Sequence, residues 1–498
     1  MDFRGLSDDE IFAKVADAEA SVRIDALMFM GMNRSLDKID EAIGFYENAF
    51  ELAETNGLRE HRSHASRFWA NALFLARRNG DAKKVLENEF ARELNLDISD
   101  LAFGIMVGQY AMVLADEGEI EDSIAKLDEA VNILKTDEEK MHLPTFFSKV
   151  CQILIKQNKF QMAANIGQRA RGFAQETENT EELGMAMYFL GKAYEGMFMF
   201  DDSMKCYKEA FVLLDHRSDG DWELHAKLGI ARLMWLGGDF DSSLGELKDL
   251  REYSRSVPWA DADLPARCDL LIARNLFAKG DLEGAAKKYF QARTLLRGQG
   301  ITTWAAVAEV EGAVVQLAMG NFDEAVQSAE LALRWWSEES SDFTEVWVRL
   351  AYGKVMNATG NFAAAFEVLS KHPAVALNSE FAPHLQYLVE EAHAAGQVGE
   401  LGAAAFIAAD LLENHDMALN NNNRGRLQNV MAEAGLQNKD LSQTLKYLGL
   451  AIKSFAADFN SFEVARLTER LIEIAESAAT SEVADSADFG EESVIDGL

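Results

Sequence analysis

Residues 320–326 read GNFDEAV, and the phrase returns as GNFAAAF at 360–366, GDLEGAA at 280–286 and GDFDSSL at 238–244. Extended in both directions, the pattern gives matching turns at 37, 80, 118, 158, 198, 238, 280, 320, 360, 396 and 439, at spacings of 36 to 43. A period near 40 over nearly the whole chain is the mark of stacked repeats rather than of separate globular domains. The columns carry the physics. Five positions after most turns stands Ala or Ser, as in Ala42, Ser123, Ala163, Ser203, Ser243, Ala285, Ala325 and Ala365. Seven before the turn stands another small residue, among them Ala111, Cys151, Gly191, Ala231, Ala273, Ala313 and Gly353. Small residues at fixed places on two consecutive helices let the helix axes approach closely. Two after the turn stands a mostly apolar residue, such as Phe160, Phe200 or Phe322, expected to lock the second helix onto the first. Each unit is therefore a helical hairpin whose apolar face only its neighbours can cover.

Composition agrees with an all-α fold. Only five prolines occur in 498 residues, and hydrophobic residues make up 48%. Pro144, Pro265 and Pro383 fall at expected helix starts, while Pro258 and Pro373 fall between repeats. Ser7 with Glu10, and Thr136 with Glu139, have capping-box spacing. A final capping helix is expected at 459–476. From 477 to 498 the text carries six acids and no Lys or Arg, which reads as a disordered acidic tail.

The small residue Ala313, the turn Gly320-Asn321-Phe322, and Ala325 and Ala332 beyond it resemble the signature columns of the tetratricopeptide repeat family. Tyr207 and Tyr289 stand in that family's aromatic column. The period of 40 exceeds the family's usual 34, similar to its longer-helix variants. The resemblance implies a right-handed TPR-like α-solenoid of about 11 helical hairpins over residues 1–476. It further implies a non-enzymatic scaffold or adaptor that binds a protein or peptide. The alternative it carries is a regulatory sensor of a peptide or small ligand that acts through a partner protein.

The net charge of −34 argues against nucleic-acid and anionic-membrane partners. Cys151, Cys206 and Cys268 lie far apart and read as buried reduced thiols. The N-terminus lacks a secretion-signal profile and the longest apolar stretch, 401–412, is too short to span a bilayer, so the expected address is cytoplasmic. Chemistry is sought without result. Gly191-Lys192 and Gly353-Lys354 lack the Ser/Thr of a phosphate loop. DHRSDGD at 215–221 has Arg217 at a calcium-ligand position and Ala226 where the loop's closing Glu belongs. His61 and His64 share a helix face without a further ligand, so no metal or cofactor is expected. The helix-turn-helix look of 426–445 falls in the repeat register. Trp335 and Trp336, ahead of Phe343 and Trp347, are expected to staple a loop.

One lead concerns binding. The residue after the small position of the first helix, expected to face the concave groove, reads Lys192, Arg232, Arg274, Val314 and Lys354 through five central repeats, ahead of Glu390 and Glu433. Tyr188, Trp235 and Phe277 lie one turn away on the same face. Such a stripe suits an extended or helical peptide with acidic groups or a free C-terminal carboxylate. The competing reading is that these cations pair with acids on adjacent helices. The acidic tail is a further candidate occupant, competing with a partner.

Overall fold

Two 17-residue helices and two three-residue connections make one period of 40. The computed structural model shows this at Phe160–Glu176 and Thr180–Gly196, with the next helix opening at Phe200. It describes residues 3–35, 38–93, 100–214, 222–257, 261–336, 343–371, 382–416, 419–458 and 460–491.

These fall into two units, Met1–Gly237 and Gly238–Leu498. The first holds α1 (Asp8–Val15), α2 (Ala20–Met32), α3 (Ile39–Thr55), α4 (Arg59–Leu75), α5 (Asn79–Glu93), α6 (Asp100–Asp116), α7 (Ile120–Ile133), α8 (Asp137–Lys140), α9 (Leu143–Lys156), α10 (Phe160–Glu176), α11 (Thr180–Gly196), α12 (Phe200–Leu214) and α13 (Trp222–Leu236). The second holds α14 (Phe240–Ser256), α15 (Leu264–Ala278), α16 (Leu282–Gly298), α17 (Thr302–Ala318), α18 (Phe322–Trp335), α19 (Phe343–Ala358), α20 (Phe362–Leu369), α21 (Ala382–Gln397), α22 (Leu401–Asn414), α23 (Asn421–Gln437), α24 (Leu441–Ala457) and α25 (Ser461–Glu491). No strand occurs among the described residues. Within each unit consecutive helices pack as hairpins, and the first helix of each hairpin, the A helix, also packs on the A helix of the next.

The turn residue closes the A helix in the left-handed region. Gly118, Gly238, Gly280, Gly320, Gly360 and Gly399 have φ between +77° and +88°. At Gly320 the amide bonds Leu317 O at 3.0 Å, and the next amide, Asn321, reaches back to Gln316 O at 3.0 Å. Both orphan carbonyls of the helix end are thereby satisfied. Arg77, Asn158, Phe198 and Lys439 do the same with side chains, at φ from 58° to 62°. Two turns differ from the sequence reading. The left-handed residue is Arg77, three before Gly80, and Gly399, three after Gly396. Gly80 lies inside α5, and Gly396 lies inside α21, where an added Cβ would stand 3.3 Å from Val430. Gly396 thus serves close packing rather than a turn, whereas a Cβ at Gly80 would meet open space.

With that register the small columns gain these two repeats. Five after the turn stand Ala82 and Ala404, both fully buried, in line with Ala42, Ser123, Ala163, Ser203, Ser243, Ala285, Ala325 and Ala365. Seven before it stand Ala70 and Ala392, at most 1% exposed. The two columns touch. Ser123 Oγ donates to Ala111 O and Ser203 Oγ donates to Gly191 O, each at 2.7 Å, and Cys151 Sγ donates to Ala163 O at 3.1 Å. A side chain of one helix bonding the backbone of the other is possible only at short interaxial distance.

The apolar residue two after the turn does not lock the hairpin in every repeat. Phe160 is buried, whereas Phe322 is 56% exposed. Phe160 lies over Gly196 of the following A helix, where an added Cβ would stand 2.3 Å from its ring. The matching residue beyond Phe322 is Ala358, which carries a Cβ where the earlier repeat has Gly196. Helix ends follow expectation: both capping boxes form, and Pro144 and Pro265 sit in the first turns of α9 and α15. Pro258, Pro373 and the loop 215–221 lie outside the described residues. At the C-terminal end Leu467 of α25 is fully buried against α24, and α25 continues to Glu491, beyond the expected boundary at 476; residues 492–498 lie outside the described ones.

Candidate functional site: the faces of the A helices

In the first unit α11 and α13 carry Lys192 and Arg232. Arg232 Nη2 donates to Glu195 Oε2 at 2.5 Å, and the Tyr207 hydroxyl donates to the same oxygen at 2.7 Å. Tyr207 lies between α11 and α13, with room made by Gly191 and Gly229, where an added Cβ would come within 2.7 Å of the ring. Burial pushes the Glu195 carboxyl up, but Arg232 and Lys192 outweigh it and hold it below its ordinary range. Burial, then the Glu195 charge, push the Tyr207 phenol well above its ordinary value. Lys192 is half-buried. Tyr188 is 7% exposed, its ring among Phe189, Tyr207, Trp222 and His225, so it belongs to the core of this unit. Trp235 is half-buried at the end of α13.

In the second unit Arg274 of α15 forms a bidentate pair with Glu311 of α17, Nε to Oε2 at 2.9 Å and Nη2 to Oε1 at 2.6 Å. The Arg274 guanidinium also lies 5.9 Å from the ring centre of Trp347 on α19, and Phe277 is half-buried one turn along α15. Lys354, seven residues after Trp347 and so on the same face of α19, donates to the side-chain oxygen of Gln386 at 2.7 Å. Burial pulls its ammonium below the ordinary lysine value, against the opposing effects of Glu390 and Glu311. Beyond it Glu390 accepts from Asn357 at 2.8 Å and from Arg426 at 2.9 Å through both oxygens. Glu433 pairs with Arg470 at 2.7 Å.

The column of cations thus carries two kinds of residue. Arg232 and Arg274 cross-link neighbouring A helices, while Lys354 is held by an amide and lies within 4.0 Å of no carboxylate among the described residues. Glu195 and Glu311, the partners of the two arginines, lie outside that column and in no column of their own. Their signal was an opposite charge 36 or 37 residues away, as in Glu195–Arg232, Arg274–Glu311, Glu390–Arg426 and Glu433–Arg470. Register moves one column member too: with the turn at Gly399, His393 takes the place assigned to Glu390. Trp347, expected as a loop staple, is 37% exposed on the A-helix face, whereas Trp336 is buried with Arg349 5.0 Å from its ring and Trp335 lies under Arg297 at 4.1 Å.

All three cysteines are buried, and burial pushes the Cys151 and Cys268 thiols up. His61 lies 3.9 Å from Asp25 and His64 packs edge-on against Phe68. No group of three or more His, Cys, Asp or Glu gathers to hold a metal among the described residues. No described helix is long and apolar enough to cross a membrane. What this face can do chemically is hold charge against aromatic surface.

No protein-family model matches the chain, and no curated protein matches it. Among solved structures it is similar to the apo form of RapI, at 13% identity and a TM-score of 0.42, over 81% of this chain and 99% of that one. Yeast Tom70 is similar at 12% identity and 0.38, over 94% and 97%. Human IFIT1 in its dimer with m7Gppp-AAAA is similar at 14% and 0.48, over 83% and 90%. With its small-residue columns, left-handed turns and A-on-A packing, the chain is an all-α protein built of tetratricopeptide-like helical hairpins.

Proposed function

We propose that the chain is a non-enzymatic, cytoplasmic protein-binding scaffold that takes an acidic peptide on the A-helix faces of its units. Lys192 with Trp235 would serve in the first unit, and Lys354 with Phe277 and Arg274 in the second. The observation that carries the reading is Lys354. Its ammonium is engaged by a neutral amide, two turns from an exposed Trp347, on a face whose other cations already hold carboxylates. An incoming carboxylate exchanges that neutral contact for a charge-assisted one, the stronger class of hydrogen bond, while apolar peptide side chains cover the indole. The net charge of −34 disfavours nucleic acid at the same place.

The test uses fluorescein-labelled peptides that combine Asp or Glu with Leu or Phe, with amidated or free C-termini, read by anisotropy on the full chain. Lys354→Met is expected to weaken the best peptide about ten-fold or more, the loss of one charge-assisted bond. Lys192→Met is the corresponding change in the first unit. Equal affinity of both variants and the parent overturns the reading. Arg232 and Arg274 are unsuitable for this purpose, because removing either strips a buried acid of its partner.

A further inference from the structure

Ten A helices, from the one ending before Arg77 to the one ending before Lys439, close on a left-handed residue. Six of those residues are glycine and one is Asn158, types that adopt this conformation readily. The other three are Arg77, Lys439 and Phe198, at φ 62, 58 and 59, and Phe198 is the aromatic one among them. A bulky side chain there crowds its Cβ against the following carbonyl, and phenylalanine is a true outlier in that region. The side chain does not recover the cost by joining the core. Phe198 is 37% exposed, Met199 43% and Phe200 37%, with the rings of Phe198 and Phe200 edge-on at 6.0 Å. Leu236, 44% exposed at the end of α13, holds the register position beside Phe200 that Gly196 holds beside Phe160.

Local strain and exposed apolar surface thus meet in one connection of the first unit. A bulky aromatic held in the left-handed region, with its ring part-exposed, is an outlier that points to function. A methionine and phenylalanine patch at the surface is a docking surface, and methionine adapts it to its occupant. Charge selects the occupant. Asp201 and Asp202 open α12 directly beside the patch, Asp201 exposed, and the whole chain carries −34. Beside these two acids a second copy of the chain, an acidic peptide or an anionic bilayer is disfavoured and a cationic partner is favoured.

We propose that the Phe198–Met199–Phe200 connection docks the apolar face of a basic amphipathic helix of a partner protein. This site is separate from the A-helix faces and stands or falls independently of them.

The probe is an 18-residue amphipathic Leu/Lys peptide labelled with fluorescein, with a Leu/Glu peptide and phosphatidylserine vesicles as controls, each titrated onto the full chain. The parent is expected to bind Leu/Lys and not the vesicles, and any Leu/Glu binding, which belongs to the A-helix faces, is expected to be the same in the parent and in both variants. Phe198→Gly is expected to raise the urea midpoint, since it relieves the left-handed side chain, and yet to weaken Leu/Lys binding about ten-fold, as loss of an aromatic anchor does. Phe200→Ser is expected to weaken it likewise. Both changes leave the charge intact, so non-specific attraction to an acidic chain is the same in all three proteins. Unchanged affinity in the variants overturns the proposal, as does failure of the parent to bind Leu/Lys. A lowered midpoint in Phe198→Gly also overturns it, because Phe198 is then a packing residue of the turn. Vesicle binding that both variants abolish replaces the partner helix with a membrane.

Discussion

Tyr207 with Glu195 and Arg232 in the first unit, and Tyr289 with Glu311 and Arg274 in the second, are built from the same columns and wired in opposite directions. Each tyrosine stands nine residues after a left-handed turn glycine or its substitute, and each arginine six before the next or the same turn. Arg232 reaches back to Glu195 on α11, the preceding A helix. Arg274 reaches forward to Glu311 on α17, the following one. Arg274 uses a two-pronged contact, while Arg232 holds Glu195 through Nη2 alone and its Nε is buried without a hydrogen-bond partner among the described residues. Burial and then the neighbouring carboxylate push both phenols far above their ordinary value. The position of the acid therefore decides which neighbour an identical arginine clamps, and the arginine column is first a fastening.

The largest expected effect comes from cutting those fastenings. Arg274→Ser and Arg232→Ser each leave a largely buried carboxylate without its cation, at a cost of about 2–4 kcal/mol, toward the lower side of fully buried pairs because both sites keep some solvent access. Urea midpoints measure it, and a loss below half a kcal/mol in either variant breaks the comparison. Arginine-to-lysine changes sharpen it. Arg274→Lys forfeits a planar fork and is expected to be clearly worse than Arg232→Lys, which replaces a single contact.

Next comes the space around the two tyrosines. A Cβ at Gly191 would stand 2.7 Å from the Tyr207 ring, whereas one at Gly312 would meet Tyr289 at an ordinary 3.5 Å. Gly191→Ala is expected to cost about 1–3 kcal/mol through overpacking. Gly312→Ala, in mid-helix, is expected to be neutral or to stabilise by about 0.5–1 kcal/mol. Equal effects at the two glycines would show that the close approach is not what Gly191 is for.

A further effect depends on pH and contrasts two adjacent acids of α21. Arg426 holds Glu390 below its ordinary range against the opposing push of burial, while burial pushes Glu391 up to about 8. A folded value raised from 4.5 means that the stability contributed by Glu391 is full below about pH 4.5 and is lost as pH rises through about 8. Glu391→Gln is expected to be near the parent at pH 5 and more stable than it at pH 9, by urea midpoints at the two values. The reverse order would show that the Glu391 carboxyl is ionised in the folded chain at neutral pH.

Much of the repeat was legible because it is written in residue size. Ala, Ser, Gly and Cys at fixed distances from a turn announce helices that touch, and Ser203 Oγ on Gly191 O is that announcement in atoms. The turn expected at 396 lies at Gly399 because glycine serves two purposes, a left-handed backbone and a close approach, and sequence spells them alike. Arg77 takes the left-handed role without glycine, so no letter marks it. The lock expected of Phe322 is absent for a related reason: Phe160 is buried over a glycine of the next repeat, Gly196, and the matching position beyond Phe322 is Ala358.

The candidate site was legible as a column and not as a set of partners. Lys192, Arg232, Arg274 and Lys354 share one helical position, which periodicity alone reveals. Which of them is neutralised depends on acids 36 or 37 residues before or after, and on whether the side chain turns back or forward along the stack. By itself the sequence determined the all-α repeat, its hairpin unit and the face on which cations gather, because these follow from size and period. Only the tertiary structure decided that the two arginines are bound into the stack, that Lys354 rests on an amide beside Trp347, and that Phe198 holds a strained turn. Each of those is a choice between neighbouring helices, and a one-dimensional pattern names the position but not the neighbour.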